Sequence, residues 1–485
     1  MMALVHPLSG TPKRETVPQW VHHPNEPYGE ESSRHSRRWP ECDVMPRHQT
    51  ERVECGYPGA MVGRVKNVFV LGLDERNREL LHDLPYLAAY RFHALLDLEE
   101  LMEGEQVQLR SLLATAERRL EAFDGPIDAI VGYWDFPVSS MVPILCERHG
   151  LPSASLEAVV KCEDKYWSRL EQQKVCDAHP AFALVDFEDP RPPAELDFPM
   201  WVKPVKSRSS ELAFKVEDPE QFADAVARIR EGVHRVGEAF DLVLSLLDLP
   251  PEVDQAGGQA CLAEEEISGR QVTVEGYCFD GSVHVYGVID SVQYPGSSSF
   301  LRYQYPSSVP PDVADRLVDV SSRVIRQVGL DNSTFNIEYF WDSERDRINI
   351  VEINPRLSQS HAPLFEHVDG VPNHQCMIDV ALGRDPQLPY RQGPYKLAGK
   401  WFLRRFSDGY VRRTPSQQEI SQVEREVPDT IVDILAEQGA RLSDLPMQDS
   451  YSYELAALYI GAEDEAELEE KYQRCLEMLP FEFDE

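Results

Sequence analysis

The sequence predicts a multidomain protein of α/β and α+β class, and three observations carry that prediction. Its 485 residues exceed the about 100–200 that one domain usually takes. Strand-like and helix-like segments alternate from residue 65 onward, and further along two alternating strands flank a charged turn, DSERD. A chain of this length can bury more than one core.

Residues 1–60 scatter Pro, Gly, Arg and His (PKRETVPQW, HHPNEPYGEESSRHSRRWPE) without an apolar period, a composition that cannot offset its ordering entropy, so disorder is expected there. Residues 61–155 alternate: strand NVFVLGL, helix DERNRELLHDL, a helical run over 107–123, strand DAIVGY, then the helix of SSMVPILCERHG. That order predicts a parallel sheet with helices on it. Residues 156–385 begin helix-rich (SLEAVVKCEDKYWSRLEQQK) and reach the strand of FPMWVKPV. They pass a Pro/Gly-rich surface loop at 247–259 and continue as strands CLAEEEI and QVTVEGYCF and a hairpin over 332–355, an antiparallel α+β domain. Residues 386–485 add strands near LAGKWFLRRF and GYVRRT, an amphipathic stretch SQQEISQVEREV and a closing helix DEAELEEKYQRCLEML.

Composition excludes some functions. With 48 Lys+Arg against 83 Asp+Glu the formal charge is -35, which repels nucleic-acid backbones and anionic membranes, so neither is an expected partner. Anions must enter through local basic pockets. The nine cysteines are odd in number and none stands as Cys-x-x-Cys, so free or buried thiols in a reducing compartment are expected. No run approaches the roughly 18 uninterrupted apolar residues of a spanning helix. Residues 1–8 are too short and too interrupted for a secretory signal, and a cytoplasmic location follows as an expectation.

The chemistry-bearing residues gather around FNIEYFWDSERDRINIVEINPR. Strand alternation sends Glu352 and Asn354 to one face while Val351 and Ile353 point into apolar packing, and Glu338 can join them from the partner strand. Two carboxylates and an amide oxygen are hard ligands suited to magnesium, or manganese, on a nucleotide phosphate. The competing reading is an edge hairpin with a solvated acidic face. Lys203 lies on the apolar strand of PMWVKPV, where an unpaired ammonium is costly to bury and a phosphate is a natural partner. Lys165 opens a helix in CEDKYWSR, with a surface role as its alternative. In KSRSSELAF the hydroxyls of Ser207, Ser209 and Ser210 can line phosphate oxygens, with Lys206 and Arg208 adding charge, or form a plain polar turn. The strand end AEEEISG offers backbone to a flat heterocycle, with Glu264 accepting from an exocyclic amine.

In this order and spacing, Lys165, Lys203, AEEEISGRQVTVEG, FNIEYF and VEINPR resemble the ATP-grasp superfamily over roughly residues 65–480. The resemblance implies a Rossmann-like pre-ATP-grasp domain, a central ATP-grasp domain and a small C-terminal domain similar to that of biotin carboxylase. It also implies ATP and Mg2+ as cofactors. Lys165 and Lys203 then contact phosphates, Glu264, Glu265, Glu266 and Ile267 form the adenine hinge, and Glu338, Glu352 and Asn354 hold magnesium. Gln271 stands where many members carry a ribose-binding glutamate and can still hydrogen-bond a ribose hydroxyl as a neutral partner, and KSRSSE lacks the usual glycines of the phosphate loop. The nearest type is the carboxylate-amine ligases, in which Arg356 of EINPR neutralises an acyl phosphate. Arg302 in SSSFLRYQYPSS is a second catalytic candidate, its alternative being a loop arginine paired with a surface acid. Ser358, Ser360 and His361 lie close enough in sequence to shape an acceptor site, His361 alternatively capping the next helix. Tyr133, Trp134 and Asp135 end a strand where α/β sheets present ligands, or pack as an aromatic loop against the neighbouring domain.

The expected activity is an ADP-forming ligation of a small carboxylate to an amine, in a chain that can pair as a homodimer. A biotin carboxylase-like enzyme and a non-catalytic ATP-binding regulator are the rivals. The first normally works with a biotinyl segment around Ala/Val-Met-Lys-Met, absent from this sequence, and the second can spare parts of the Glu338, Glu352, Asn354 and Arg356 set.

Overall fold

The apolar run Lys66–Leu71 (β1) is buried along most of its length, and Asp74 then stops the strand and caps Glu75–His82 (α1) by accepting from the Asn77 amide. Tyr90–Leu96 (β2), Leu98–Met102 (α2), Leu109–Glu121 (α3), Ala129–Gly132 (β3) and Val138–His149 (α4) complete the first region. Both β2 and β3 pair parallel to β1, in the order β2-β1-β3. Strand β2 was not expected from the sequence, because exposed Arg91 and half-buried Phe92 and His93 hide its period. The computed structural model describes residues 64–484 other than 103, 105, 208–210 and 446–451, so the disorder expected at 1–60 and the contacts expected of Arg208, Ser209 and Ser210 lie outside the described residues.

Two short helices follow, Leu156–Glu163 (α5) capped by Ser155 and Lys165–Gln172 (α6) capped by Asp164. Phe182–Val185 (β4), Met200–Pro204 (β5), Phe214–Val216 (β6) and Cys261–Glu265 (β7) form an antiparallel sheet, order β4-β7-β5-β6. Its apolar face, with Met200, Val202 and Ala263, packs on Phe222, Val226 and Ile229 of Pro219–Gly232 (α7). His234–Leu244 (α8) precedes Pro251–Ala256 (α9). The run at 247–259 is thus more than the expected loop, because Pro251 supplies a φ already suited to a first helical turn.

The remaining strands build one eight-stranded sheet. They are Arg270–Phe279 (β8), Ser282–Gln293 (β9), Phe300–Tyr305 (β10), then Ser333–Asp342 (β11) and Arg347–Asn354 (β12) after the helix Pro311–Val328 (α10). Ala362–Asp369 (α11) and His374–Ala381 (α12) lead to Leu397–Arg405 (β13) and Tyr410–Arg413 (β14), and Gln417–Glu426 (α13) to Ile431–Ile434 (β15). Tyr453–Ala462 (β16), Glu465–Met478 (α14) and Glu482–Asp484 (β17) close the chain. The sheet order is β12-β11-β8-β9-β10-β13-β16-β15, with β14 and β17 paired separately. Antiparallel pairing of β10 with β13 carries this sheet through residue 385, so the last region shares it with the preceding one.

Alternation gives the sheet two unlike faces. Val272, Val274, Phe335, Ile337, Ile350 and Ile353 pack on Leu317, Val320 and Val324 of α10, each such side chain contributing about 1.5–3 kcal/mol by leaving water. Gln271, Glu275, Asn336, Glu338, Glu352 and Asn354 take the other face. One register break falls between Glu338–Glu352 and Tyr339–Ile350, leaving Val351 as an extra residue. Val351 was expected in the core beside Ile353, but the bulge leaves it only half-buried. Among the described residues, the cysteines are free and no helix is long and apolar enough to cross a membrane.

Candidate active site

Glu338 and Glu352 face each other directly across the β11–β12 register. Burial first, and then the Glu352 charge, push the Glu338 carboxyl up to about 7, while Gln271 donates to its Oε2 at 3.1 Å. Burial also opposes the charge of Glu352, yet Lys165, Lys206, Lys203 and Arg356 outweigh it and hold its carboxyl below the ordinary value. Four cations therefore converge on one carboxylate. Asn354 sits next on this face, buried, donating to Asn336 Oδ1 at 3.0 Å. Two adjacent carboxylates, one of them driven toward the neutral form by burial and by the other's charge, are a donor set that a hard divalent cation fits.

The lysines come from three elements. Lys165 opens α6, its amide donates to Val205 O at 2.9 Å, and its Nζ lies 3.5 Å from Glu352. Lys203 on β5 is 2.5 Å from Glu264 on the neighbouring β7. Lys206, beyond the end of β5, is buried 3.5 Å from Glu163, with the rings of Phe136 and Phe240 beneath it. Glu163 in turn accepts from Ser139 and Ser140 of α4.

Several expected roles need correction. Glu264 is not an open acceptor for a heterocycle: Arg169 Nε takes one oxygen at 2.8 Å and Lys203 the other. Burial alone would raise its carboxyl, but these two cations hold it at about 2. Arg169, unnoticed in the sequence, also donates to Val351 O at 2.7 Å, the carbonyl turned out by the bulge, and so ties α6, β7 and β12 together. With two cations sharing one carboxylate, Lys203 loses some hold on its proton: burial lowers its pKa most, Glu264 opposes, and Arg169 and Lys165 add to the fall. Past Glu264, the Glu265 amide pairs with Ala181 O at 2.9 Å, Glu266 pairs with Lys215 at 2.6 Å, and Ile267 is half-buried. Ser207 is half-buried just after Lys206.

Arg302 is not brought to the site. Its neighbour Tyr303 faces the carboxylates, so Arg302 points to the opposite side, where it stacks over Trp401 and pairs with Glu465 and Glu469 of α14. Arg356 is brought to the site and gripped by Asp135, Nε at 2.6 Å and Nη2 at 2.5 Å. Tyr133 and Trp134 both donate to Gly72 O and hold the Asp135 loop on the first region. His361 does not cap α11 through its ring: its Nδ1 lies 2.8 Å from fully buried Glu275, which also accepts from the Ser358 amide and Tyr286. That knot pins the turn after Arg356.

Between an antiparallel four-stranded sheet and the polar face of a larger one, the lysines, carboxylates and arginine define a protein of the ATP-grasp fold. The chain carries an ATP-grasp domain: residues 196–363 match the family model of that description. Among solved structures, an L-amino acid ligase from Bacillus licheniformis superposes with a TM-score of 0.62 at 16% identity, covering 87% of this chain and 100% of its own. A biotin carboxylase from Campylobacter jejuni, in a complex with β,γ-ATP, reaches 0.57 at 16% identity over 87% and 92%. The large chain of carbamoyl phosphate synthase from Caldanaerobacter subterraneus subsp. tengcongensis is 21% identical over 204 residues, 40% of this chain. The match spans 18% of that curated relative's length, and these likenesses establish the fold.

Proposed function

We propose that this chain is an ATP- and Mg2+-dependent ligase that activates a small carboxylate as an acyl phosphate and joins it to an amine, releasing ADP and phosphate. The observation that carries the reading is the convergence of Lys165, Lys203, Lys206 and Arg356 on Glu352, itself facing Glu338. Such a set neutralises transferring phosphate while the carboxylate pair and Asn354 hold magnesium, whose charge offsets the triphosphate. The likeness to a ligase and a carboxylase of this fold supports the same class.

In the first step a carboxylate oxygen of the acid attacks the γ-phosphorus, the bond to the β–γ bridging oxygen breaks, and ADP leaves with that electron pair. Lys165 and Lys203 balance charge on the phosphates, and Arg356, fixed by Asp135, faces the new acyl phosphate. In the second step the amine nitrogen attacks the carbonyl carbon, the C–O bond to phosphate breaks with its electron pair going to the phosphate, and the amine's proton passes to the departing phosphate.

ADP and phosphate release with Mg-ATP, measured over a grid of small acids and amines, tests this. Turnover needing both an acid and an amine, and lost in Glu352→Ala and Lys203→Ala, is expected. Turnover needing bicarbonate and biotin instead would make the chain a carboxylase. Tight ATP binding without turnover in any combination would make it a regulator.

A further inference from the structure

Beyond Arg356 the polar face of the sheet continues along one register row, Gln271, Ser291, Tyr303, Lys400 and Tyr459, across β8, β9, β10, β13 and β16. It ends at a cluster of cations that the ligation chemistry does not use. Lys400 is 6% exposed, and its only hydrogen-bond partner among the described residues is a hydroxyl, Ser360 Oγ, at 3.1 Å. Its ammonium lies over the rings of Phe402 and Tyr459, at 4.4 and 5.6 Å. On the same Tyr459 ring, at 4.5 Å, rests the guanidinium of Arg76 from α1. Arg76 Nη1 meets Asp433 at 2.5 Å, but its enclosed Nη2 makes no hydrogen bond to a described residue, and neither does the Tyr459 hydroxyl, in a side chain 1% exposed.

Lys400 forms no ion pair with a described carboxylate: Asp433 pairs with Arg76, and Glu454 pairs with Arg404 at 3.3 Å. Burial brings Lys400 down to about 8, Glu454 resisting and Arg76 adding to the fall. A buried, uncompensated ammonium costs stability unless an anion meets it. Arg76, Ser360, Tyr303 and Arg356 are each half-buried, and Tyr303 stands beside Lys400 in the register row on the face that carries the carboxylate pair. After burial itself, the charges of Glu338, Glu454, Arg404 and Arg356 all act on the Tyr303 hydroxyl.

We propose that Lys400, Arg76 Nη2 and the Tyr459 hydroxyl form a subsite for a carboxylate that is not consumed in the reaction, carried by a substrate whose reacting end lies at Arg356. The subsite rests on the ligase reading for its purpose, and it commits the substrate to a carboxylate besides its reacting group, as in a dicarboxylate reacting through its other carboxylate or an amino acid reacting through its amine. Monoacids that react through their carboxylate and simple amines lack that group.

Calorimetric titration of the full chain with succinate, monomethyl succinate, glycine, glycine ethyl ester and inorganic phosphate, beside separate titrations with Mg-ADP, tests it. The intact anion is expected to bind at least about tenfold more tightly than its ester, the size of a lost charge-assisted hydrogen bond. Preference for succinate assigns a dicarboxylate and preference for glycine an amino acid. In Lys400→Met and in the isosteric Tyr459→Phe the preference collapses, while Mg-ADP affinity stays within about twofold. Lys400→Met is also expected to melt higher than the parent, because it removes an uncompensated buried charge. Esters binding as well as the acids, a preference that survives in both variants, or no binding by any of these probes overturns the subsite. Lys400-dependent binding of phosphate alone overturns the carboxylate assignment in favour of a phosphate ester. If Mg-ADP fails to bind while the Lys400-dependent preference holds, the ligase reading falls and the subsite stands.

Discussion

Glu264 shows how one residue's role can be displaced by its neighbours. As a member of AEEEISG it suggests a hydrogen-bond acceptor for a base, yet in the folded chain it is 4% exposed and both oxygens are spent on Arg169 and Lys203. Removing one member of such a buried set leaves unpaired charge, so Glu264→Gln is expected to lose about 3–5 kcal/mol at pH 7, read by denaturant titration. The pH dependence has a definite sign. The folded carboxyl, at about 2, lies below its ordinary 4.5, so its contribution is present above pH 4.5 and disappears as the pH falls toward 2. The gap between parent and variant is therefore expected to narrow over that interval. At the carboxylate pair the measured quantity is rate: Glu352→Gln keeps the shape but removes the charge on which four cations converge, and kcat is expected to fall by about 10²–10³. Lys165, Lys203, Glu338, Glu352, Asn354 and Arg356 were legible because their motifs are local. Arg169 was not, since an arginine in an amphipathic helix reads as surface until Glu264 arrives from ninety-five residues away.

At the scale of elements, the metal-type hairpin and the strands with Lys203 and Glu264 were read from alternation, and alternation also predicted their polar face. What alternation did not give was the bulge at Val351, because an extra residue is defined only against a partner strand. The same bulge turns out the carbonyl that Arg169 holds. Strands β9 and β10 and helix α10 went unread, although Val313, Leu317, Val320, Val324 and Val328 of α10 carry a plain helical period. Missing β10 is what allowed Arg302 to be placed at the reaction centre, since strand parity sends it with α14 and sends Tyr303 to the site. The turn between β7 and β8 makes its own prediction. Gly269 has φ +127°, and a Cβ there would come 2.4 Å from the Trp341 carbonyl oxygen, a backbone atom that cannot swing away. Gly269→Ala is expected to destabilise by more than about 2 kcal/mol, with a matching fall in melting temperature, where a surface substitution changes about 0.5 kcal/mol or less.

Across the whole molecule the first region meets the site at several points, among them Ser139 and Ser140 on Glu163, and it reaches Arg356 through the side chain of Asp135, over 221 positions of sequence. Asp135 is half exposed, so its ion pair adds little stability, and Asp135→Asn is expected to melt within about 1 kcal/mol of the parent. Activity is more sensitive, because the arginine loses its orientation: kcat/KM for the acid is expected to fall roughly tenfold to 10²-fold, with Mg-ATP affinity unchanged. No pattern in the sequence pairs these two residues, for their contact depends on how a parallel three-stranded sheet meets an antiparallel eight-stranded one. The central claim is that a carboxylate becomes an acyl phosphate here, and isotope transfer tests it most directly. With an acid substrate labelled with 18O in its carboxylate, the phosphate released during turnover is predicted to carry one labelled oxygen per molecule, as the C–O bond to phosphate breaks in the second step. Phosphate released without label, or release of AMP and pyrophosphate in place of ADP, would contradict the account.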